Sequence, residues 1–159
     1  MSSLHPSPGI DLQQVGGGEL DAVMEIMDEA FDGRFGEAWT RSQCGGILPM
    51  HGVVLTLASA AGVPLGFSLV RSVLDDSELL LLAVRPAGRR RGVGRSLVDR
   101  FVDTGRGAGA HHLHLEVRDG NPAVFLYEAT GFRLAGRRAN YYRGPNGECF
   151  DALTLARTV

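Results

Sequence analysis

Residues 78–96 read Glu78-Leu79-Leu80-Leu81-Leu82-Ala83-Val84-Arg85-Pro86-Ala87-Gly88-Arg89-Arg90-Arg91-Gly92-Val93-Gly94-Arg95-Ser96. The first part is apolar at consecutive positions, so a strand over 78–84 would be covered on both faces, as in the middle of a sheet. The last part opens a helical pattern over 92–103, with Val93, Leu97, Val98, Phe101 and Val102 on one face. Gly105 and Gly107 are expected to end that helix. Residues 111–117 then alternate, with Leu113, Leu115 and Val117 on one side and His112, His114 and Glu116 on the other. Strand, helix and strand over 78–117 read as a βαβ unit.

The flanks complete the pattern. Residues 10–15 read as a first strand, 19–31 as a helix with Leu20, Val23, Met24, Met27, Ala30 and Phe31 in step, and 39–47 as a helix capped by Thr40. Residues 53–58 and 63–73 are β-rich runs joined by a turn at Ala60-Ala61-Gly62. Downstream, Asn121 and Pro122 open a short helix over 122–130, which Gly131 stops and whose apolar residues include Val124, Phe125 and Leu126. Residues 133–142 and 149–156 are strands about a Gly144-Pro145-Asn146-Gly147 turn. The order β-α-α-β-β-β-α-β-α-β-β describes an α/β chain, a mixed sheet with helices on its faces.

Composition sets the outer bounds. The 159 residues are 44% hydrophobic and 21% charged, which suits one globular domain over 1–159 with a real core. The net charge of −2 argues against a general nucleic-acid or membrane-surface binder. All 16 basic residues are Arg, which excludes lysine Schiff-base chemistry and a Walker-type phosphate loop. Biased codon usage accounts for the missing Lys and the 22 Gly. Residues 1–8 lack a positive run followed by an apolar stretch, so no signal peptide is expected. The longest apolar run, 79–84, is too short to cross a bilayer. Cys44 and Cys149 lie far apart, with no metal spacing and no local His or Asp partner. A reduced, cytoplasmic protein without a thiol nucleophile is expected.

The segment 89–96 carries the sharpest local chemistry. Glycines at a helix start let the backbone approach a ligand and leave amide N–H groups free. Those amides and the helix dipole suit an anion such as pyrophosphate, and the arginines add charge. Leu97 stands where a dinucleotide fingerprint needs a third glycine, which weakens that reading. A solvated basic turn and a nucleic-acid contact stay open on this segment alone. Glu116, at a strand end, and Tyr127, on the next helix, read singly as an edge carboxylate and a core tyrosine. Together they offer a base and a phenolic acid. His112, His114 and Glu116 share a face, but solvent-facing strand residues explain them better than a metal site. His5 and His51 are isolated.

Leu82-Ala83-Val84 followed by Arg89-x-x-Gly92-x-Gly94 resembles the acetyl-CoA motif of the GCN5-related N-acetyltransferases (GNAT). Three downstream runs are similar to that family's ribosomal-protein-alanine N-acetyltransferase (RimI) branch. They are Leu115-Glu116-Val117-Arg118-x-x-Asn121, Leu126-Tyr127-Glu128-x-x-Gly131-Phe132, and Arg137-Arg138-x-Asn140-Tyr141-Tyr142 with Asp151-Ala152. Val124 stands where the family often has Ala. The resemblance covers 75–156, with 1–74 matching in outline.

That resemblance implies a mixed, mostly antiparallel seven-stranded sheet with about four helices. It implies that the backbone of Leu82, Ala83 and Val84 pairs with the pantetheine arm of acetyl-CoA. The amides of Arg90, Arg91, Gly92, Val93, Gly94 and Arg95 would hold the pyrophosphate beside Arg89, and Asn121 would touch the cofactor near its pantetheine end. Glu116 would be the proton acceptor, Tyr127 the proton donor, and Tyr141 would lie near the acceptor. No metal is implied. The expected partner is a protein N-terminus, favouring the Ala of a ribosomal protein. Residues 31–51 and 141–148 are expected to shape its site. Neither nucleic acid nor membrane is expected as a partner, and the chain would be a monomer or weak homodimer. A GNAT acting on a small amine, lysine or antibiotic competes with this reading, as does a non-catalytic CoA- or RNA-binding module.

Overall fold

Residues 9–159 are described by a computed structural model; the expectations for 1–8, including His5 and the missing leader, lie outside the described residues. The strands are β1 Asp11–Val15, β2 Val53–Ala60, β3 Val63–Val73, β4 Asp76–Val84, β5 His112–Arg118, β6 Arg133–Arg143 and β7 Cys149–Thr158. The helices are α1 Leu20–Ala30, α2 Arg41–Ile47, α3 Val93–Gly107 and α4 Ala123–Ala129. They form one seven-stranded sheet in the order β1-β2-β3-β4-β5-β7-β6. Only β4 and β5, joined through α3, run parallel. Element order, strand number and the βαβ unit match the sequence reading.

Local chemistry explains most boundaries. The β2–β3 hairpin turns on Ala61 and Gly62, both at positive φ (50° and 79°), as a two-residue primed turn needs. Thr40 and Gln43 form a reciprocal capping box at α2, each side chain accepting the other's backbone N–H at 3.1 and 2.8 Å. Helix α3 ends at Gly107, one of the two glycines expected to end it, and runs through the other, Gly105. A Cβ there would meet Leu113 Cδ2 at 2.7 Å, so this glycine lets α3 press against the sheet. The helix closes at Gly109 (φ 86°) in a Schellman motif: Gly109 N–H donates to Arg106 O at 3.0 Å and Ala110 N–H to Gly105 O at 2.8 Å. Phe125 also departs from expectation. It is 76% exposed, because a helix of seven residues buries one face and Tyr127 takes it.

The core has two layers. Val23, Ile26 and Met27 of α1 pack with Phe67, Leu69, Leu81 and Ala83 on one face of the sheet. Phe101 and Val102 of α3 pack with Leu79, Leu113, Leu115 and Phe132 on the other. Leu79 and Leu81, two apart on one strand, therefore serve opposite faces. The register explains this: Val70 pairs with Leu79 and Leu69 with Leu81, so Leu80 is an extra residue. Such a bulge bends its strand and reverses the inside–outside phase beyond it. Pairing with β5 stops at the same point, covering only Asp76–Leu79 against His112–Leu115. Beyond it β4 stays with β3 and β5 stays with β7, and the two part as a wedge. No helix among the described residues is long and apolar enough to cross a membrane.

Candidate active site

The wedge opens into a cleft of about 120 Å³. Leu82 lines its β4 wall, Glu116 its β5 wall, Asn121 and Tyr127 the α4 side, and Tyr141 its rim. Five of the sequence-predicted site residues thus meet in one cavity. Ala83 is buried against α1, and Val84 is partly buried against α3. Along Leu80–Val84 the β4 edge that faces away from β3 has no strand partner among the described residues.

Glu116 is nearly buried, with a side chain 9% exposed. Arg138 Nε donates to its Oε1 at 3.0 Å, and Thr154 Oγ1 donates to its Oε2 at 2.6 Å. Each carboxylate oxygen keeps a second lone pair. Tyr127 is buried, edge-on to Phe132 with ring centroids 6.3 Å apart. Its hydroxyl has no hydrogen-bond partner among the described residues. Burial, with the negative charge of Glu37 behind it, holds its pKa well above the ordinary phenol value, so the proton stays on.

Tyr141 and Tyr142 reach the cleft through a second irregularity. Between Arg138 and Tyr142 strand β6 carries three residues where β7 has only Asp151. Asn140 takes φ 54° there, and its N–H donates to Asp151 Oδ1 at 3.0 Å. Tyr142 Oη donates to Glu116 O at 3.3 Å, and the two tyrosine rings meet edge-on at 4.9 Å. Burial first, then Glu116 and Glu78, push the Tyr141 phenol up.

The phosphate-loop candidates sit at the open end of the wedge rather than in the cleft. Gly92 takes φ 81° before α3, and the first helical bond runs from Ser96 N–H to Gly92 O at 3.0 Å. The amides of Val93, Gly94 and Arg95 precede that bond, as at any helix start. A Cβ on Gly94 would meet Leu126 Cδ2 at 3.0 Å, so this glycine also lets α3 approach α4. Arg89 Nη2 donates to Ala30 O at 3.3 Å, and Arg95 pairs with Asp99 at 3.4 Å. Arg90 and Arg91 are exposed, with no ion pair among the described residues.

Two carboxylates that line the cleft, Glu37 and Glu78, were not expected from sequence. Glu37, in the connection between α1 and α2, is 8% exposed; Asn121 Nδ2 donates to its Oε2 at 2.9 Å. Its Oε1 lies 3.1 Å from Arg118 Nε, a charge contact along which the N–H is not aimed. Asn121 Oδ1 accepts the Ala123 N–H at 2.9 Å, so the amide is engaged at both ends. Glu78 also lines the cleft. Burial raises its pKa, the charges of Glu116 and Asp76 add to this, and His114 and Arg138 oppose it. His114 lies between Asp76 (3.2 Å) and Glu78 (3.7 Å). No group of three or more His, Cys, Asp or Glu among the described residues is arranged to hold a metal ion. Burial pushes the Cys44 thiol up, away from nucleophilic use.

The family model for the acetyltransferase (GNAT) family matches residues 20–132, reaching further upstream than the motifs that carry the resemblance. A [ribosomal protein bS18]-alanine N-acetyltransferase of Haemophilus influenzae is 36% identical over 92 residues, 58% of this chain and 63% of that protein. The chain thus spans less than two thirds of the length of that curated relative. The crystal structure of the ribosomal-protein-S18-alanine N-acetyltransferase from Escherichia coli shares 28% identity and a TM-score of 0.82, with 94% of each chain covered. Arabidopsis thaliana NAA60, solved in complex with acetyl-CoA, has the same fold at 20% identity, with a TM-score of 0.81 over 94% of this chain and 98% of that one.

Proposed function

The chain belongs to the acetyltransferase (GNAT) family, and from that premise we propose that residues 1–159 work as one N-acetyltransferase domain. It passes the acetyl group of acetyl-CoA to the α-amino group of a protein N-terminus, favouring an N-terminal Ala of a ribosomal protein, in the cytoplasm. The observation that carries this reading is the wedge between β4 and β5. It sets a buried carboxylate, Glu116, and a protonated phenol, Tyr127, on the walls of one cleft beside an unpartnered strand edge. The names of the relatives support the choice of acceptor.

Acetyl-CoA supplies an acetyl thioester when bound. The free edge of Leu82, Ala83 and Val84 extends the sheet onto its pantetheine arm. The amides of residues 90–95 and the guanidinium groups around them face its pyrophosphate. An α-amino group has a pKa of about 7.7–8.0, so part of it is already neutral near pH 7. As the C–N bond forms and the C–S bond breaks, Glu116 takes the amine proton on a free lone pair, directly or through water. Tyr127 delivers its own proton to the departing sulfur. The rest of the rate comes from holding amine and thioester together. No enzyme-bound acyl group is needed.

The direct test is incubation with acetyl-CoA and a panel of peptides differing in their first residue. Mass spectrometry should find the acetyl group on the α-nitrogen, with Ala-first peptides leading. Modification confined to lysine side chains or small amines would overturn the acceptor. The cofactor half has its own test. Arg90→Ala with Arg91→Ala should raise the KM for acetyl-CoA about tenfold with little change in kcat, since both charges are unpaired and exposed. The difference from the parent chain should shrink as salt rises.

A further inference from the structure

We propose that Glu37 is a positioning residue: it ties the connection between α1 and α2 across the cleft to Asn121 and so fixes the start of α4, the helix that carries Tyr127. This inference rests on the acetyl-transfer reading above. The connection over 31–40 is first fastened to the β6–β7 hairpin. Arg34 pairs with Glu148 at 3.2 Å, and Phe35 meets Phe150 edge-on at 5.0 Å. At Gly36 the backbone lies so close to Arg143 O that no Cβ fits. Those contacts hold the segment at the acceptor side of the cleft. Its tie to the opposite wall runs through Glu37 and Arg118, whose guanidinium also lies 3.6 Å from the centre of the Phe35 ring.

The tie has a direction. The carboxylate of Glu37 can only accept, so it holds the NH2 end of Asn121. The Asn121 carbonyl must then point the other way, at the Ala123 N–H. That bond satisfies one of the orphan donors at the start of α4. A seven-residue helix has little intrinsic stability, so its start depends on such contacts. Tyr127 follows Ala123 by one helical turn. Glu37, Asn121 and Tyr127 all border the same cleft, so the tie sets one wall of the site as well as bracing the fold.

The test uses the full chain with E37Q, E37A and E37Q/R118Q. Gln keeps an acceptor for Asn121 but removes the charge, whereas Ala removes both. E37A should lower kcat about a hundredfold and E37Q about tenfold, with the KM for acetyl-CoA little changed. Hydrogen exchange of the Ala123–Tyr127 amides should speed up in E37A and less in E37Q. E37Q alone strands the buried Arg118 charge and should lose Tm; the double variant should regain Tm but not kcat. Recovery of both in the double variant would overturn the inference, because Glu37 would then serve stability alone. So would unchanged kcat and unchanged exchange in E37A. If the parent chain transfers no acetyl group to any acceptor yet E37A still loosens α4, the tie stands and the acetyl-transfer reading falls.

Discussion

Glu116→Gln and Tyr127→Phe should each lower kcat by about 10²–10⁴-fold, the usual worth of a positioned base or acid, while acetyl-CoA still binds. Both changes suit the fold. A Gln at 116 still offers an oxygen to Arg138, and the Thr154 hydroxyl can turn to accept from its amide. Arg138 loses a countercharge but is 61% exposed, so water compensates it. The Tyr127 hydroxyl has no partner among the described residues, so its removal orphans nothing, and Phe keeps the ring contact with Phe132. Lost turnover at unchanged Tm would therefore report chemistry. Because burial and Glu37 hold the Tyr127 pKa high, no fall in kcat below pH 10 should trace to its ionisation. Steady-state rates and calorimetric acetyl-CoA binding check both variants; parental kcat in both would remove the assigned roles.

Phe132→Ala should destabilise the fold by about 3–5 kcal/mol. Against a typical total of about 5–15 kcal/mol, that leaves little margin. Phe132 is fully buried, stacked on Phe101 with centroids 6.0 Å apart and edge-on to Tyr127. Its loss opens a cavity between α3 and α4 and takes away the wall that holds the Tyr127 ring. Urea unfolding should show a lower midpoint, and kcat should fall even under conditions where the variant is fully folded. Phe132→Leu, which refills much of the volume, should restore most of the midpoint.

Periodicity and turn residues made the βαβ unit and the hairpins legible, because each strand or helix carries its own repeat, whereas Glu116 and Tyr127 were singled out by their chemistry and by the family resemblance. Periodicity was blind in three places. From Leu79 to Leu82 every residue is Leu, so the run has no phase and a one-residue slip leaves the pattern unchanged; the Leu80 bulge is invisible there. Gly105 looked like a stop because a glycine's backbone freedom is readable from sequence, whereas its missing side chain matters only against Leu113, which the chain brings up later. Glu37 lies in an aperiodic connection, and its partners Arg118 and Asn121 are far along the chain. Long-range polar contacts of this kind have no local signature. Phe125 shows the converse, an apolar residue in a helical pattern that the short α4 leaves in solvent.

The Leu80 bulge gives the cleft a mechanical meaning. Past Leu79 no strand pairing among the described residues stitches the β1–β4 half to the β5–β7–β6 half; before it the pairs from Asp76–Leu79 to His112–Leu115 do so, together with the backbone bonds of His111 and His112 to Asp75 O. The cleft is the molecule's seam. A ligand lying along it as an extra strand acts as a splint across two half-sheets. Its binding energy then adds to cohesion by mass action, and the loaded chain should unfold as a more cooperative unit than the empty one.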